Sequence, residues 1–303
     1  MKYLPEGIRR NEKKFASLDE VLTSIQSGEI IEGRVVLCDS EHNLHIDLGI
    51  INGIIPRCEG AIGIEDASVR DIALISRVNK FVAFKIKAVE YDEAQMPYAV
   101  LSRRDVQLEC KKSYTDKLVC GDIIAAKVTH IECFGAFIDI GAGINSLIPI
   151  DMLSVSRINH PSQRVYVGQL IQVVLRKREG DKLTFSLKEL LGTWEENARL
   201  FSAGETVTGI VRSVEEYGVF VELTPNLAGL AEPYGELQPG QQVSVFIKSI
   251  MSEKMKIKLV IVEAFDNEIK NQELKYYIKG KHIDRWDYSP YNAVKQISTD
   301  FSS

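Results

Sequence analysis

Residues 131–150 read IECFGAFIDIGAGINSLIPI, and the reading of this stretch decides the fold. From Ala136 the residues alternate, with Ala136, Ile138 and Ile140 on one side and Phe137 and Asp139 on the other. Successive side chains of a β-strand point to opposite faces. An aliphatic core side therefore leaves Phe137 on the wet side, next to a carboxylate. Phe134 lies close by, separated from Phe137 by Gly135 and Ala136. A large aromatic on the solvent face of a strand calls for a partner.

The stretch recurs. Residues 214–223, VEEYGVFVEL, place Tyr217 and Phe220 at the positions of Phe134 and Phe137. A degenerate copy at 39–48, DSEHNLHIDL, has His42 and His45 there. Each copy follows a similar strand: GEIIEGRVV from Gly28, GDIIAAKVT from Gly121 and GETVTGIVR from Gly204. A third strand comes next in INGIIPRCE, INSLIPIDM and LAGLAEPYG. A fourth lies in KFVAFKIKAV, VGQLIQVVLRKRE and PGQQVSVFIKSI. The fifth is YAVLSRR, KLTFSLK and MKIKLVI. The starting glycines are 93 and 83 residues apart, too far for a solenoid repeat and right for small tandem domains. The expected fold is all-β, with three tandem five-stranded barrels joined by short helical connectors.

The expected boundaries are a leading extension and helix over 1–27, a degenerate first barrel over 28–104, a helical linker over 105–120, a second barrel over 121–189, a second linker over 190–203, a third barrel over 204–264 and a polar tail over 265–303. SLDEVLTSIQSG (17–28) opens on the capping pair Ser17 and Glu20 and stops at Gly28. Leu18, Val21, Leu22 and Ile25 form its apolar face. KELLGTWEENARLFSAG (188–204) carries Trp194, expected to anchor on a neighbouring barrel. The tail holds a weak hairpin near Gly280, and WDYSPYNAVKQISTDFSS reads as poorly ordered.

Composition excludes several classes. The chain of 303 residues is 45% hydrophobic and 26% charged, ordinary for a globular protein. There is no apolar run of membrane length and no signal-like N-terminus, so no membrane partner is expected. Five cysteines, none in a C-x-x-C pair, fit free thiols in a cytoplasmic setting. The five histidines lack metal spacing, and His42 and His45 fall on opposite faces unless the strand bulges. GAGIN (141–145) closes a turn rather than cradling a phosphate. No nucleophile, base and orienter assemble, so neither an enzyme nor a cofactor is expected.

Outward aromatics on a small barrel offer stacking platforms for unpaired bases. Phosphates need cations beside them. Lys127 and Thr129 take the outward phase before Phe134, as Arg212 does before Tyr217. Arg176, Lys177, Arg178 and Lys182 follow in the second copy, and Lys248, Lys254, Lys256 and Lys258 in the third. The first copy lacks the aromatic pair and has Tyr98 where the others have Lys182 and Lys256, so it is expected to bind RNA weakly or to serve protein contact, with small ribosomal subunit proteins as its candidate partners. A net charge of -5 weighs toward a different reading, an array of barrels that dock proteins of a ribosome, transcription or RNA-decay complex.

The frame G-x-x-V-x-G-x-V, then aromatic-Gly-x-Phe-Val-x-Leu, then Gly-Leu resembles the S-one-type RNA-binding domain, a barrel of the OB-fold kind, over roughly 28–262. The resemblance implies single-stranded RNA as partner. Three units without a catalytic domain are similar to the small-subunit ribosomal members of that family, which implies capture of messenger RNA on the small ribosomal subunit in translation. It also implies an RNA face of two aromatics, a histidine after the third strand, an acid and a base. The aromatics carry over as Phe134 with Phe137 and as Tyr217 with Phe220. The histidine position holds Pro56, Pro149 and Glu232. The acid is Glu179 in the second copy and is replaced by Met251 in the third. The base is Lys182 or Lys256. On this pattern the second copy is the best site and the third the next.

Overall fold

The computed structural model describes residues 3–9, 12–265 and 273–302. Period-two patterning closes into three barrels. In the first, β1 (Ile31–Cys38), β2 (Leu44–Asp47), β3 (Asn52–Ile55), β4 (Phe81–Tyr91) and β5 (Pro97–Ser102) run in the order β1-β2-β3-β5-β4. The second is built from β6 (Ile123–Glu132), β7 (Gly135–Asp139), β8 (Asn145–Pro149), β9 (Leu170–Glu179) and β10 (Lys182–Ser186). The third is built from β11 (Thr206–Glu215), β12 (Gly218–Thr224), β13 (Leu227–Ala231), β14 (Gln242–Met251) and β15 (Lys256–Phe265). In all three the third strand runs parallel to the fifth, through Asn52 and Tyr98, Leu147 and Thr184, and Leu230 and Lys258. The other pairings of the first and third barrels are antiparallel, as are β6–β9 and β9–β10 of the second, and closure leaves no free sheet edge. These are tandem OB folds.

The aliphatic side of the opening stretch is core: Ala136, Ile138 and Ile140 are buried, as are Val219, Val221 and Leu223. The glycine between the aromatics is a packing requirement. A Cβ on Gly135 would stand 2.4 Å from the carbonyl oxygen of Ile148, and one on Gly218 would stand 2.4 Å from that of Ala231.

Two compact units form, Met1–Leu118 with Asp139–Asn145, and Val119–Ile138 with Ser146–Ser303. In the first unit, helix α1 (Leu18–Ser27) has the expected ends. Ser17 accepts from the Glu20 N–H, and Gly28 closes the helix at φ +59°. Of its expected apolar face, Val21 is buried while Leu18 and Leu22 stay exposed. After the four-residue α2 (Ile72–Ile75), α3 (Arg103–Ser113) begins two residues before the predicted linker helix, because Ser102 caps it by accepting from Asp105 N–H at 2.9 Å. Arg103 is fully buried. Its Nε and Nη2 donate to the two Glu6 oxygens at 2.7 and 3.0 Å, and its Nη1 donates to Gly60 O at 3.0 Å.

In the second unit the connector is short: α4 covers only Trp194–Ala198, started by a full capping box at Thr193 and Glu196. Trp194 is an anchor, 2% exposed within the core that the third barrel shares with the C-terminal segment. That segment corrects the expectation of a poorly ordered tail. Trp286, Tyr288 and Phe301 are buried. Strands β16 (Arg285–Asp287) and β17 (Ser298–Asp300) pair antiparallel. The Tyr288 hydroxyl donates to Asn226 O at 2.6 Å, and Trp194 N–H donates to Tyr288 O at 3.0 Å. Its aromatics are sparse in sequence, yet Trp286, Tyr288 and Phe301 join the core of the third barrel, while Tyr291 stays exposed. The ordered pairing lies later than Gly280, and residues 266–272 of the expected tail lie outside the described residues.

Burial also separates the thiols. Cys110 is fully buried, which pushes it up to about 12, while Cys58 and Cys133 are exposed. Iodoacetamide at about pH 8 is expected to label Cys58 and Cys133 quickly and Cys110 only on unfolding. Peptide mass spectrometry over time reads this, and early labelling of Cys110 in the native protein contradicts the packing.

Candidate nucleic-acid interface

The outward aromatics stand where the alternation puts them, and the two barrels repeat one geometry. Phe134 and Phe137 meet edge to face, centroids 6.0 Å apart and planes at 86°. Tyr217 and Phe220 do the same at 6.2 Å and 88°. Phe134 is 52% and Tyr217 67% exposed, while Phe137 and Phe220 are half-buried beneath them. Each pair thus shows one open ring propped by a second.

Sequence reading missed a third ring. His130 stacks on Phe137 at 6.1 Å and 29°, with its Nε2 2.7 Å from a Glu132 oxygen. His130 is seven residues from Phe137, on the neighbouring strand β6, so only the pairing of strands reveals the contact.

Several expected cations are elsewhere. Arg212 does not point outward. It is buried, donating from Nε and Nη2 to the Glu222 oxygens at 2.8 and 3.0 Å. The cause is a β-bulge: the β11–β12 register slips between Val211 and Ser213, which turns the intervening Arg212 out of alternation. Glu222 also accepts from Nη1 and Nη2 of buried Arg164 at 2.9 and 2.7 Å. Asp139, expected on the wet face beside Phe137, is likewise buried. It accepts from the backbone N–H of Glu6, Gly141 and Gly143 at 2.7, 2.8 and 3.0 Å, so the GAGIN turn wraps it. Burial, then the charge of Glu6, raise this carboxyl.

A second bulge recurs on the fourth strand of every barrel. The register slips past Lys87, Arg176 and Lys248 in turn. Lys87 bridges Glu59 and Asp105 at 3.2 and 3.4 Å. Arg176 is drawn to the C-terminal segment, donating to Asp300 O at 3.3 Å with its guanidinium 5.6 Å from the Phe301 ring centre. Lys248 alone of the three joins an aromatic groove. That groove, about 560 Å³, is lined by Tyr217, Phe220, Leu230, Glu232, Met255 and the lysines 248, 256 and 258. Lys254 is exposed on the turn between β14 and β15.

In the second barrel Lys182 is exposed and faces Glu179 across the β9–β10 pair. Lys177 bridges Glu179 at 2.6 Å. Lys127 and Arg178 are half-buried. In the first barrel the aromatic pair is replaced by a polar knot. His42 sits at φ +68°, and His45 Nε2 lies 2.9 Å from Asp39. Partial burial opposes ionisation of Asp39, but the bonds from His45 and Asn43 prevail and hold it at about 2. Tyr98 donates to Glu90 at 2.7 Å. Among the described residues no cluster of side chains could hold a metal ion, and no helix is long and apolar enough to cross a membrane.

Three closed five-stranded barrels, two of them with an outward aromatic pair and exposed lysines, define a tandem OB-fold protein. Residues 117–188 match the S1 RNA binding domain. The chain is 32% identical over 276 residues to small ribosomal subunit protein bS1 of Staphylococcus aureus, covering 85% of this chain and 66% of that protein. Against the bS1 of Staphylococcus epidermidis the identity and both shares are the same. A multidomain protein with nucleic acid binding domains from Streptococcus pneumoniae superposes over 80% of this chain and 76% of its own, at 15% identity and a TM-score of 0.26. The chain belongs to the S1 RNA-binding-domain proteins and is homologous to bS1. It spans 66% of the length of the curated relatives it matches.

The Glu222 clamp gives a stability prediction. Burial alone would raise this carboxyl, but Arg164 and then Arg212 outweigh it and hold it low. Its contribution is therefore full at neutral pH and lost as pH falls below the unfolded value of about 4.3. Glu222→Ala strands two buried guanidiniums and is expected to cost about 3–5 kcal/mol. Calorimetry should show the second unit melting on the order of 10 °C lower at neutral pH. An unchanged midpoint would mean the clamp is replaced by solvent.

Proposed function

We propose that this protein binds single-stranded RNA without catalysis, through the exposed faces of the second and third barrels. The observation that carries this reading is the repeated edge-to-face pair, one open ring over a half-buried one, at the same place in both barrels. A monomeric barrel gains nothing in its core from an exposed Phe134 or Tyr217. A base stacked on each ring gains about 1–3 kcal/mol. Exposed Lys256 and Lys258 line a groove with Tyr217 and Phe220 and supply phosphate contacts there, and Lys182 is exposed on the fifth strand of the second barrel. Homology to bS1 supports messenger RNA as the RNA and the small ribosomal subunit as the setting, in the cytoplasm.

The first barrel supports a second role, protein docking, with small ribosomal subunit proteins as partners. Its aromatic positions are the polar His42 and His45, and its exposed large apolar residues include Val36, Leu37, Ile72 and Ile75.

Fluorescence anisotropy of a labelled single-stranded RNA with the full chain tests the RNA reading. Phe134→Ala with Phe137→Ala, and separately Tyr217→Ala with Phe220→Ala, should each weaken binding on the order of tenfold per ring. Affinity should fall with salt, with a log–log slope of roughly 0.7 for each phosphate neutralised. Lys256→Ala should reduce that slope by about one contact's worth. No binding by the wild type at low salt would leave protein docking as the function of all three barrels.

A further inference from the structure

We propose that the groove of the third barrel selects guanine, with Glu232 as the residue that reads the base; this rests on RNA binding by that barrel. Glu232 follows β13 directly and lines the groove with Tyr217 and Phe220. Leu230, two residues earlier, pairs with Phe220 on one side and Lys258 on the other, so the acid stands at the end of the same open face. Its side chain is 78% exposed, and its nearest cation, Lys248, is 3.9 Å away, at the outer limit of an ion pair. Both carboxylate oxygens therefore have room for a ligand.

A carboxylate in an RNA groove is unfavourable if it meets phosphate. Here three lysines line the same groove, and two of them, Lys256 and Lys258, lie on β15. They give the backbone a path away from the acid. A base stacked on Tyr217 then turns its edge toward the groove wall. An ionised carboxylate only accepts hydrogen bonds, through two oxygens side by side. Guanine offers the matching pair, N1–H and an N2 amino hydrogen, on its Watson–Crick edge. Adenine and cytosine set an acceptor nitrogen beside their amino group. Uracil flanks its single N–H with two carbonyls. Charge-assisted paired bonds are the strong ones, so guanine is favoured and uracil disfavoured.

The molecule carries its own control. The corresponding position is Pro149 in the second barrel and Pro56 in the first, and proline has no side-chain acceptor. Guanine selection thus belongs to the third barrel alone.

The test uses the full chain carrying Phe134→Ala and Phe137→Ala, so that the third barrel dominates. Binding of oligouridines of about ten nucleotides is compared when the central positions are guanine, inosine, adenine, cytosine or uracil. Inosine keeps N1–H and lacks the N2 amino group. The expected result is about tenfold tighter binding of guanine than of inosine, in the range of one good paired base contact. Glu232→Gln should remove most of that difference while binding the all-uracil oligomer at least as tightly. If Glu232→Gln strengthens every oligomer equally, the acid is only a repelling charge; guanine selection is then overturned while RNA binding stands. If no oligomer binds at low salt, the RNA reading of this barrel fails, and this inference with it.

Discussion

One carboxylate, Glu222, is shared by two buried guanidiniums, and the second unit is organised around it. Arg212 reaches it from the adjacent strand of the same barrel, and Arg164 reaches it from the segment leading into β9. Buried charges are tolerated only when paired and hydrogen-bonded. All three groups must therefore stay together, which fixes that segment against the third barrel. The same strand position holds Asp139 in the second barrel, buried under three backbone N–H groups. In the first it holds Asp47, which is exposed and pairs with Lys14. One acid two residues past the second ring position thus serves three environments, decided by what covers the end of the strand.

The aromatic faces depend on this arrangement. The core side of the second strand is filled by aliphatics, and its far end is pinned by the acid. The middle of the outward side is left for Phe137 and Phe220, each propping an exposed ring. The glycine between the rings lets the third strand come within contact distance of the second, which brings Leu230 and Glu232 beside Tyr217.

Bulges distribute the cations. Each barrel has a slipped register on its fourth strand, and a basic residue occupies the slip every time. The bulge frees that side chain from strict alternation. Lys87 is taken by acids, Arg176 by the C-terminal segment, and Lys248 by the groove. The third barrel therefore holds the more open set of lysines, although the second keeps the acid and base of the family pattern.

Alternation, repeat spacing and turn glycines were enough to determine three five-stranded barrels, the capped helix over Leu18–Ser27 and the two outward aromatic pairs. Those features depend on neighbours within a strand or a turn, and local sequence records them. The destinations of Arg212, Asp139 and Arg176, the ring contact of His130, and the ordered C-terminal segment were decided only in three dimensions. A bulge shifts the phase of alternation without leaving a mark in composition. Burial of a polar side chain depends on which distant element covers it. Trp286 and Phe301 look isolated in a polar tail, and become core residues because barrels folded elsewhere in the chain present an apolar wall.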